Sequence, residues 1–141
     1  MKIRALAVVA VMMTLFWPQP ASAVINKINV FNSSDRCALF VVSSTPALTG
    51  MDVQRKVIQV GGQASFTPQS KYGPTLGAYR ITVEARVYES VRDCVSNGNS
   101  GGNSGGSFIR VSGSKNRIPM SKLVTWNARL IGSKGHYRIN L

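Results

Sequence analysis

Residues 78–89 show the most regular alternation of polar and apolar positions in the chain. In the stretch AYRITVEARVYE, apolar residues such as Ile81 and Val83 alternate with polar residues such as Arg80 and Glu84. Because successive side chains of a β-strand point to opposite faces, this period of two predicts a strand with one face in a core and one in solvent. The same residues on a helix would form no apolar stripe.

Shorter segments of the same character fill most of the chain after residue 23. They are rich in β-branched and aromatic residues, and clusters of Gly, Pro, Asn and Ser separate them, as is typical of strands and turns. The predicted strands are 24–32, 37–44, 53–60, 63–67, 78–89, 107–111, 122–131 and 136–141, with loops at 68–77 and 113–119 and a hairpin turn at 132–135. This pattern predicts an all-β fold, a small antiparallel β-sandwich or barrel-like domain of about seven or eight strands.

The stretch CVSNGNSGGNSGGSFIR, residues 94–110, interrupts the pattern with a tandem NSGG repeat. The chain after residue 106 is too short to form a second domain, so the repeat is not an interdomain linker. Its glycines lead into a strand pattern, whereas a phosphate-cradling loop leads into a helix. We therefore expect a flexible loop at 95–106 inside one domain that spans 24–141. Residues 88–97 leave room for a short helical turn.

The first 23 residues have the layout of a secretory signal peptide. A basic start with Lys2 and Arg4 precedes an apolar run over 5–17, and the small residues Ala-Ser-Ala close the segment at 21–23. The run is shorter than the ~20 residues that span a bilayer. We expect cleavage after residue 23 and export to the periplasm or beyond the cell.

The exported chain contains two cysteines, Cys37 and Cys94. An oxidising compartment favours a disulfide between them, with a structural role. Two thiols, one histidine and five acidic residues make a poor set of ligands for zinc or calcium, so we expect neither a metal nor a cofactor.

A strong excess of positive charge suggests the class of partner. Removal of the signal peptide leaves 15 Lys and Arg against 5 Asp and Glu, a net charge of +10. The positive electrostatic potential of such a protein attracts acidic polysaccharide, lipopolysaccharide, anionic membrane or nucleic acid. We expect binding of such a partner without catalysis. The candidate anion-binding residues are Arg80, Arg86, Arg110, Lys115, Arg117, Arg129, Lys134 and Arg138.

Four of these residues form a sharper hypothesis. Arg80 and Arg86 lie on the polar side of one predicted strand, and Arg129 and Arg138 lie on the polar sides of two others. Arginine forks suit phosphate, sulfate and carboxylate groups. The four arginines form one binding plate only if their strands share a sheet.

A secreted hydrolase similar to a ribonuclease is an alternative. Such an enzyme needs a carboxylate base, a histidine acid and an arginine that holds phosphate, and Glu84 and His136 are the candidates for the first two. The ending GHYRINL resembles the His-Tyr tail of small secreted microbial ribonucleases, although the N-terminal helix of that family is absent from the pattern.

A third alternative is an envelope assembly subunit or a toxin-like membrane-binding protein. Strand addition or aromatic side chains would carry such an interaction. The aromatic candidates are Phe31, Phe40, Tyr88 and Trp126. The sequence leaves the ligand and the oligomeric state open.

Overall fold

The computed structural model describes residues 27–46, 52–67, 78–119 and 125–141. The predicted signal peptide, the start of the first predicted strand and the predicted loop 68–77 lie outside the described residues. So do residues 122–124 of the seventh predicted strand.

Eight strands and one helix make up the described chain. They are β1 (Lys27–Ser34), β2 (Ala38–Pro46), β3 (Asp52–Ile58), β4 (Gln63–Phe66), β5 (Ala78–Tyr88), α1 (Val91–Asn99), β6 (Phe108–Pro119), β7 (Thr125–Ser133) and β8 (His136–Asn140). The strands form two four-stranded sheets. The first sheet has the order β4-β1-β7-β8 and the second has the order β3-β2-β5-β6. The prediction of an all-β sandwich with one disulfide is confirmed.

One pairing departs from the predicted antiparallel arrangement. β1 runs parallel to β7, with Ile28 opposite Trp126 and Val30 opposite Ala128. Parallel neighbours need a long connection, and here the whole chain between the two strands supplies it. This pairing places the start of the domain at the centre of the first sheet.

The apolar positions of the alternating segments form the core between the sheets. Ile28 and Val30 of the first sheet pack with Phe40, Val83 and Ala85 of the second. The alternating apolar positions of β5 are buried from Ile81 onwards, and Ala128 and Leu130 of β7 are buried as well. Tyr137, Ile139 and Leu141 also pack against this core.

Helix α1 corrects the predicted loop 95–106, of which 95–99 is helical. Its inward side chains are Cys94, bonded to Cys37, and Asn97, which donates to the carbonyl oxygens of Asp93 (2.9 Å) and Gly105 (2.5 Å). Gly98 brings the helix so close to β3 that a Cβ there would overlap Cγ2 of Val57. A helix that turns Cys, Asn and Gly inward has no apolar periodicity to detect.

Strand β6 corrects a second prediction, because 113–119 is strand rather than loop. Its partner β5 is 11 residues long and supplies a ladder for it from Tyr88 opposite Phe108 to Ala78 opposite Pro119. Gly113 lets β8 approach from the first sheet, because a Cβ there would lie 3.0 Å from Cδ1 of Leu141. The small and polar residues of 113–119 therefore belong to an edge strand, and Gly113 allows this strand to pack closely against the end of the other sheet. Within the described ranges, no helix has the length and apolar character needed to cross a bilayer.

Candidate functional site

The outer face of the first sheet is the strongest candidate for a binding surface. Its side chains come from the outward positions of β1, β7 and β8, which alternate with the buried core positions. We call this surface the basic face, and it consists of Lys27, Asn29, Phe31, Asn127, Arg129, Arg138 and Asn140.

The strand register brings the two arginines of the basic face together. Arg129 lies opposite Asn140, two residues from Arg138 on the same strand. Such diagonal neighbours have Cα atoms about 7–8 Å apart, so both guanidinium groups can reach a single polyanion. Both residues are exposed.

Neighbouring side chains on this face orient one another. The guanidinium of Arg129 lies 5.3 Å from the ring centroid of Phe31, a cation–π contact that holds the arginine over β1. The Ser65 hydroxyl donates to Oδ1 of Asn29 (2.8 Å), and Nδ2 of Asn29 donates to Oδ1 of Asn127 (3.2 Å). A row of polar groups therefore crosses β4, β1 and β7 beside the arginine.

The charge of the basic face is not neutralised within the described chain. The ion pairs among the described residues involve Arg36, Arg86 and Arg110. No described carboxylate oxygen lies within 4.0 Å of a charged nitrogen of Lys27, Arg129 or Arg138. The face therefore presents its positive charge to solvent.

The arginines of the second sheet have internal partners. Oε1 of Glu84 lies 2.7 Å from Nε of Arg86 and 3.3 Å from Nε of Arg110. The hydrogen bond with Glu84 raises the pKa of Arg86. Arg86 also donates to the carbonyl oxygen of Gly102 (3.3 Å) and so fastens the loop after α1 to the sheet.

Phe108 lies among these arginines. The guanidinium carbons of Arg86 and Arg110 are 5.6 and 5.9 Å from its ring centroid, and the ring of Tyr88 is 5.2 Å away. Burial raises the pKa of Tyr88, and the positive charge of Arg86 opposes that shift. The charged groups of this cluster therefore make contacts within the protein that join β5, β6 and the loop after α1.

The eight predicted anion-binding residues are thus divided between the two sheets. Arg80, Arg86 and Arg110 belong to the second sheet, whereas Arg129 and Arg138 belong to the first. The hypothesis of one four-arginine plate is therefore wrong, because β5 does not share a sheet with β7 and β8.

The three remaining predicted residues are not among those that form the basic face. Nζ of Lys115 lies 4.2 Å from the ring centroid of Trp126. Lys134 is in the turn between β7 and β8 with a φ of 50°. Arg117 belongs to β6, and its side chain lies outside the described residues.

Glu84 and His136 are not brought together. Glu84 alternates with the buried Val83 and Ala85 and so lies on the outer face of the second sheet, next to Arg86. His136 is exposed at the start of β8, in the first sheet. Because the core separates these outer faces, the two side chains do not converge on one phosphate, as the hydrolase alternative needs.

A shallow depression beside the last hairpin contains His136. Its volume is about 510 Å³, and it is lined by Ile131, Gly132, Gly135, His136, Tyr137 and Arg138. Gly132 has a φ of +145°, and a Cβ there would overlap the carbonyl oxygen of His136. The depression adjoins the basic face through Arg138.

Asp35 fastens this hairpin to the turn between β1 and β2. It accepts hydrogen bonds from the Tyr137 hydroxyl (2.6 Å) and the Lys134 backbone N–H (3.3 Å). The bond from Tyr137 lowers the pKa of Asp35, and burial together with this bond raises the pKa of Tyr137. In the described part of the chain, no three His, Cys, Asp or Glu side chains come together to hold a metal ion.

The sequence did not identify Lys27 and Asn29 as binding candidates, and it indicated Phe31 only as an aromatic candidate for a partner contact. Lys27, Asn29 and Phe31 alternate with buried residues in β1, so their outward direction was readable from the sequence. Their place beside Arg129 depends on the parallel pairing of β1 with β7, which no local signal predicts.

Comparison with known proteins indicates no family for this chain. No family model and no curated protein matches it. The solved structures similar to it include the crystal structure of listeriolysin O, at 16% identity and a TM-score of 0.44, over 82% of this chain and 22% of that one. They also include the crystal structure of (S)-allantoin synthase, at 9% identity and a TM-score of 0.47, over 85% and 44%. The chain spans less than half of either protein, and similarity at this level carries no argument about function.

Proposed function

We propose that this protein is an exported binding protein that holds an anionic polymer or anionic surface on its basic face, without catalysis. The observation that carries this proposal is the exposed pair Arg129 and Arg138, which has no carboxylate partner within the described chain. The ligand class is defined by repeated phosphate, sulfate or carboxylate groups, which guanidinium forks bind bidentately.

The surroundings of the pair favour such a ligand. Phe31 holds Arg129 in place and so reduces the side-chain entropy that binding costs. Asn127 and Asn140 lie next to the arginines and offer amide N–H donors to the same oxygens. The net charge of +10 on residues 24–141 would accelerate the approach of a polyanion.

The disulfide is compatible with export. Cys37 and Cys94 are bonded, and such bonds persist in oxidising compartments. The proposed site of action is therefore the periplasm or the exterior of the cell, where lipopolysaccharide and acidic polysaccharides are exposed.

The test is binding of the oxidised 24–141 chain to RNA, double-stranded DNA, lipopolysaccharide vesicles and heparin, at about 50 and 200 mM salt. We expect affinity for at least one of them to fall tenfold or more between the two salt concentrations, because counterions are released from the polymer. The four ligands distinguish phosphate polymers from a sulfated polysaccharide and from a lipid surface.

A matched pair of variants then tests the site. Arg129→Gln with Arg138→Gln should weaken binding at least tenfold and should lower the salt slope for nucleic acid by about two. Arg55→Gln with Arg92→Gln removes the same charge from exposed positions on β3 and α1 and should weaken it much less. Equal losses in both variants would contradict the basic face as the site.

The same samples test the absence of catalysis. We expect RNA to remain intact after incubation with the protein. Cleavage that disappears in a His136→Ala variant would overturn the non-catalytic part of the proposal.

A further inference from the structure

We propose that the free edge of β6, at residues 108–112, accepts an extended protein segment in which apolar and acidic residues alternate. The partner would add a strand to the second sheet. This site is independent of the basic face, which lies on the other sheet.

Strand β6 is at the end of the second sheet, so only β5 pairs with it among the described strands. An edge strand presents unpaired backbone N–H and C=O groups, which another chain can use. β8 packs against β6 around Gly113, where Leu141 and Ile139 come close. Residues 108–112 precede that contact.

The first part of β6 also has exposed apolar side chains. Phe108 is 36% exposed and Ile109 is 42% exposed. A lysine, a proline and a bulge, which commonly protect an edge, all lie further along the strand pair, and Arg110 is the one charged residue within 108–112. Lys115 and Pro119 are in the second half of β6, and the bulge lies between Tyr79 and Ile81, opposite that half. The second half of β6 is therefore protected against the addition of another strand, whereas residues 108–112 expose apolar side chains.

The connections that the structure does not describe start and end far from this edge. Pro46 pairs with Tyr79, Ala78 pairs with Pro119 and Lys27 pairs with Thr125, which places these residues at one end of the sandwich. Phe108 and Pro119 are the first and last residues of β6, about 35 Å apart. The connections 47–51, 68–77 and 120–124 begin and end at the far end and are too short to reach Phe108 and return, so for the chain without its signal peptide we propose a separate chain as the occupant.

Charge defines the composition of that occupant. Arg110 is on the outer side of β6, and 58% of its side chain is exposed despite its 3.3 Å contact with Glu84. An acidic residue on the outer side of an added strand would lie opposite Arg110, and apolar residues on its inner side would cover Ile109 and Val111. A second copy of this chain is disfavoured, because two molecules of net charge +10 repel each other.

The experiment uses a fluorescein-labelled eight-residue peptide that alternates valine and glutamate, and a second peptide with lysine in place of glutamate. Fluorescence anisotropy gives the affinities for the oxidised 24–141 chain. Hydrogen exchange detected by mass spectrometry locates the contact. We expect the valine–glutamate peptide to slow exchange at 108–112 and to leave β8 unchanged, and we expect the valine–lysine peptide to bind at least tenfold more weakly.

Variants separate strand addition from general attraction between charges. Ile109→Lys should weaken the valine–glutamate peptide at least tenfold, because it places a protecting lysine on the edge. Arg110→Glu should reverse the preference between the two peptides. Arg55→Glu makes the same charge change on the outer face of β3, the opposite edge of the sheet, and should preserve the preference.

Two results would overturn the proposal. One is protection of the basic face without protection of 108–112, which would mean that the peptide binds as a simple polyanion. The other is unchanged affinity in Ile109→Lys. Circular dichroism of each variant confirms that its fold is intact.

Discussion

At the scale of single residues, the buried side chain of Asn32 fixes the turn between β1 and β2 by hydrogen bonds. Asn32 is 1% exposed, and its Nδ2 donates to the carbonyl oxygens of Arg36 (2.8 Å) and Ile58 (2.9 Å). Its Oδ1 accepts from the Ser34 backbone N–H (3.2 Å). One side chain thus links the β1–β2 turn to the end of β3, and its loss would leave several buried groups without partners.

The bond between Asp35 and Tyr137 makes part of the stability dependent on pH. The pKa of Asp35 is lowered in the fold, chiefly by the Tyr137 hydroxyl, so folding favours the carboxylate. The stabilisation is complete above the ordinary value of 3.8 and is lost as the pH falls through the lower folded value. We expect Tyr137→Phe to destabilise the protein at pH 6 and to have a smaller effect at pH 2.

Urea unfolding across this pH range measures the effect. Arg138→Gln, at the next residue but on the outer face, is the control and should show no such pH dependence. A constant difference between Tyr137→Phe and the unsubstituted protein from pH 6 to pH 2 would show that Asp35 does not carry the linkage.

At the scale of elements, α1 shows how tertiary contacts can make a helix from a weak sequence. An isolated helix of nine residues is marginal in water. Here the disulfide joins α1 to the start of β2, and Leu39, Val57 and Tyr88 cover its inner side. Asp93 in the first turn is favourable to the helix dipole. The helix therefore forms on the outer side of the second sheet, where Leu39, Val57 and Tyr88 provide an apolar surface.

The close approach of Gly98 to Val57 predicts an unusual response to substitution. Alanine normally favours a helix over glycine by about 1 kcal/mol. Gly98→Ala should nevertheless destabilise the protein by about 1–3 kcal/mol, because its Cβ would overlap Cγ2 of a stiff β-branched side chain.

Combination with Val57→Ala tests the cause. We expect the double variant to be less destabilised than the sum of the two single variants, since the smaller side chain gives the new Cβ its space. Chemical denaturation of the four proteins gives the coupling energy. Strict additivity would contradict the overlap as the cause.

At the scale of the whole molecule, the two outer faces differ in whether their arginines are paired with a carboxylate. On the second sheet, Glu84 pairs with Arg86 and Arg110, and the loop after α1 covers part of the surface. On the first sheet, Arg129 and Arg138 have no such partner among the described residues. Exposed cations such as Arg55 and Arg92 lie on the second sheet and α1 as well, so the difference between the two faces is the pairing of their arginines with Glu84.

The disulfide is expected to contribute to the stability of the whole domain. Cys37 and Cys94 are 57 residues apart in sequence, and closure of such a loop in the unfolded chain corresponds to about 4 kcal/mol at most. We expect Cys37→Ala with Cys94→Ala to lower the free energy of unfolding by about 2–4 kcal/mol. Urea unfolding with and without reductant measures it, and the variant itself should not respond to reductant.

This variant also separates the two sides of the molecule. Both cysteines belong to the buried cluster between α1 and the second sheet, whereas the basic face is on the first sheet. Under conditions in which the variant is folded, its affinity for the anionic ligand should equal that of the oxidised protein. Loss of binding in a folded variant would contradict the independence of the two sides.

Alternation alone determined most of the strands and their inner faces. The inward sets of β5, β7 and β8 follow from a period of two, because a strand places every second side chain in the core. The continuation of β6 through 113–119 was missed, since the polar and small residues of that stretch show little apolar pattern. For α1 the sequence indicated no more than room for a helical turn at 88–97, because its inward positions are a cysteine, an asparagine and a glycine.

The sequence by itself determined the sandwich class, the apolar core, the single disulfide and the excess of basic residues. Each of these depends on composition or on neighbours within one strand. Only the tertiary structure decided which basic residues lie on the same face. The parallel pairing of β1 with β7 joined Phe31 to Arg129, and the division into two sheets separated Arg80 and Arg86 from Arg129 and Arg138. Pairing between distant strands depends on the fit of the whole core, so no local pattern of the sequence contains it.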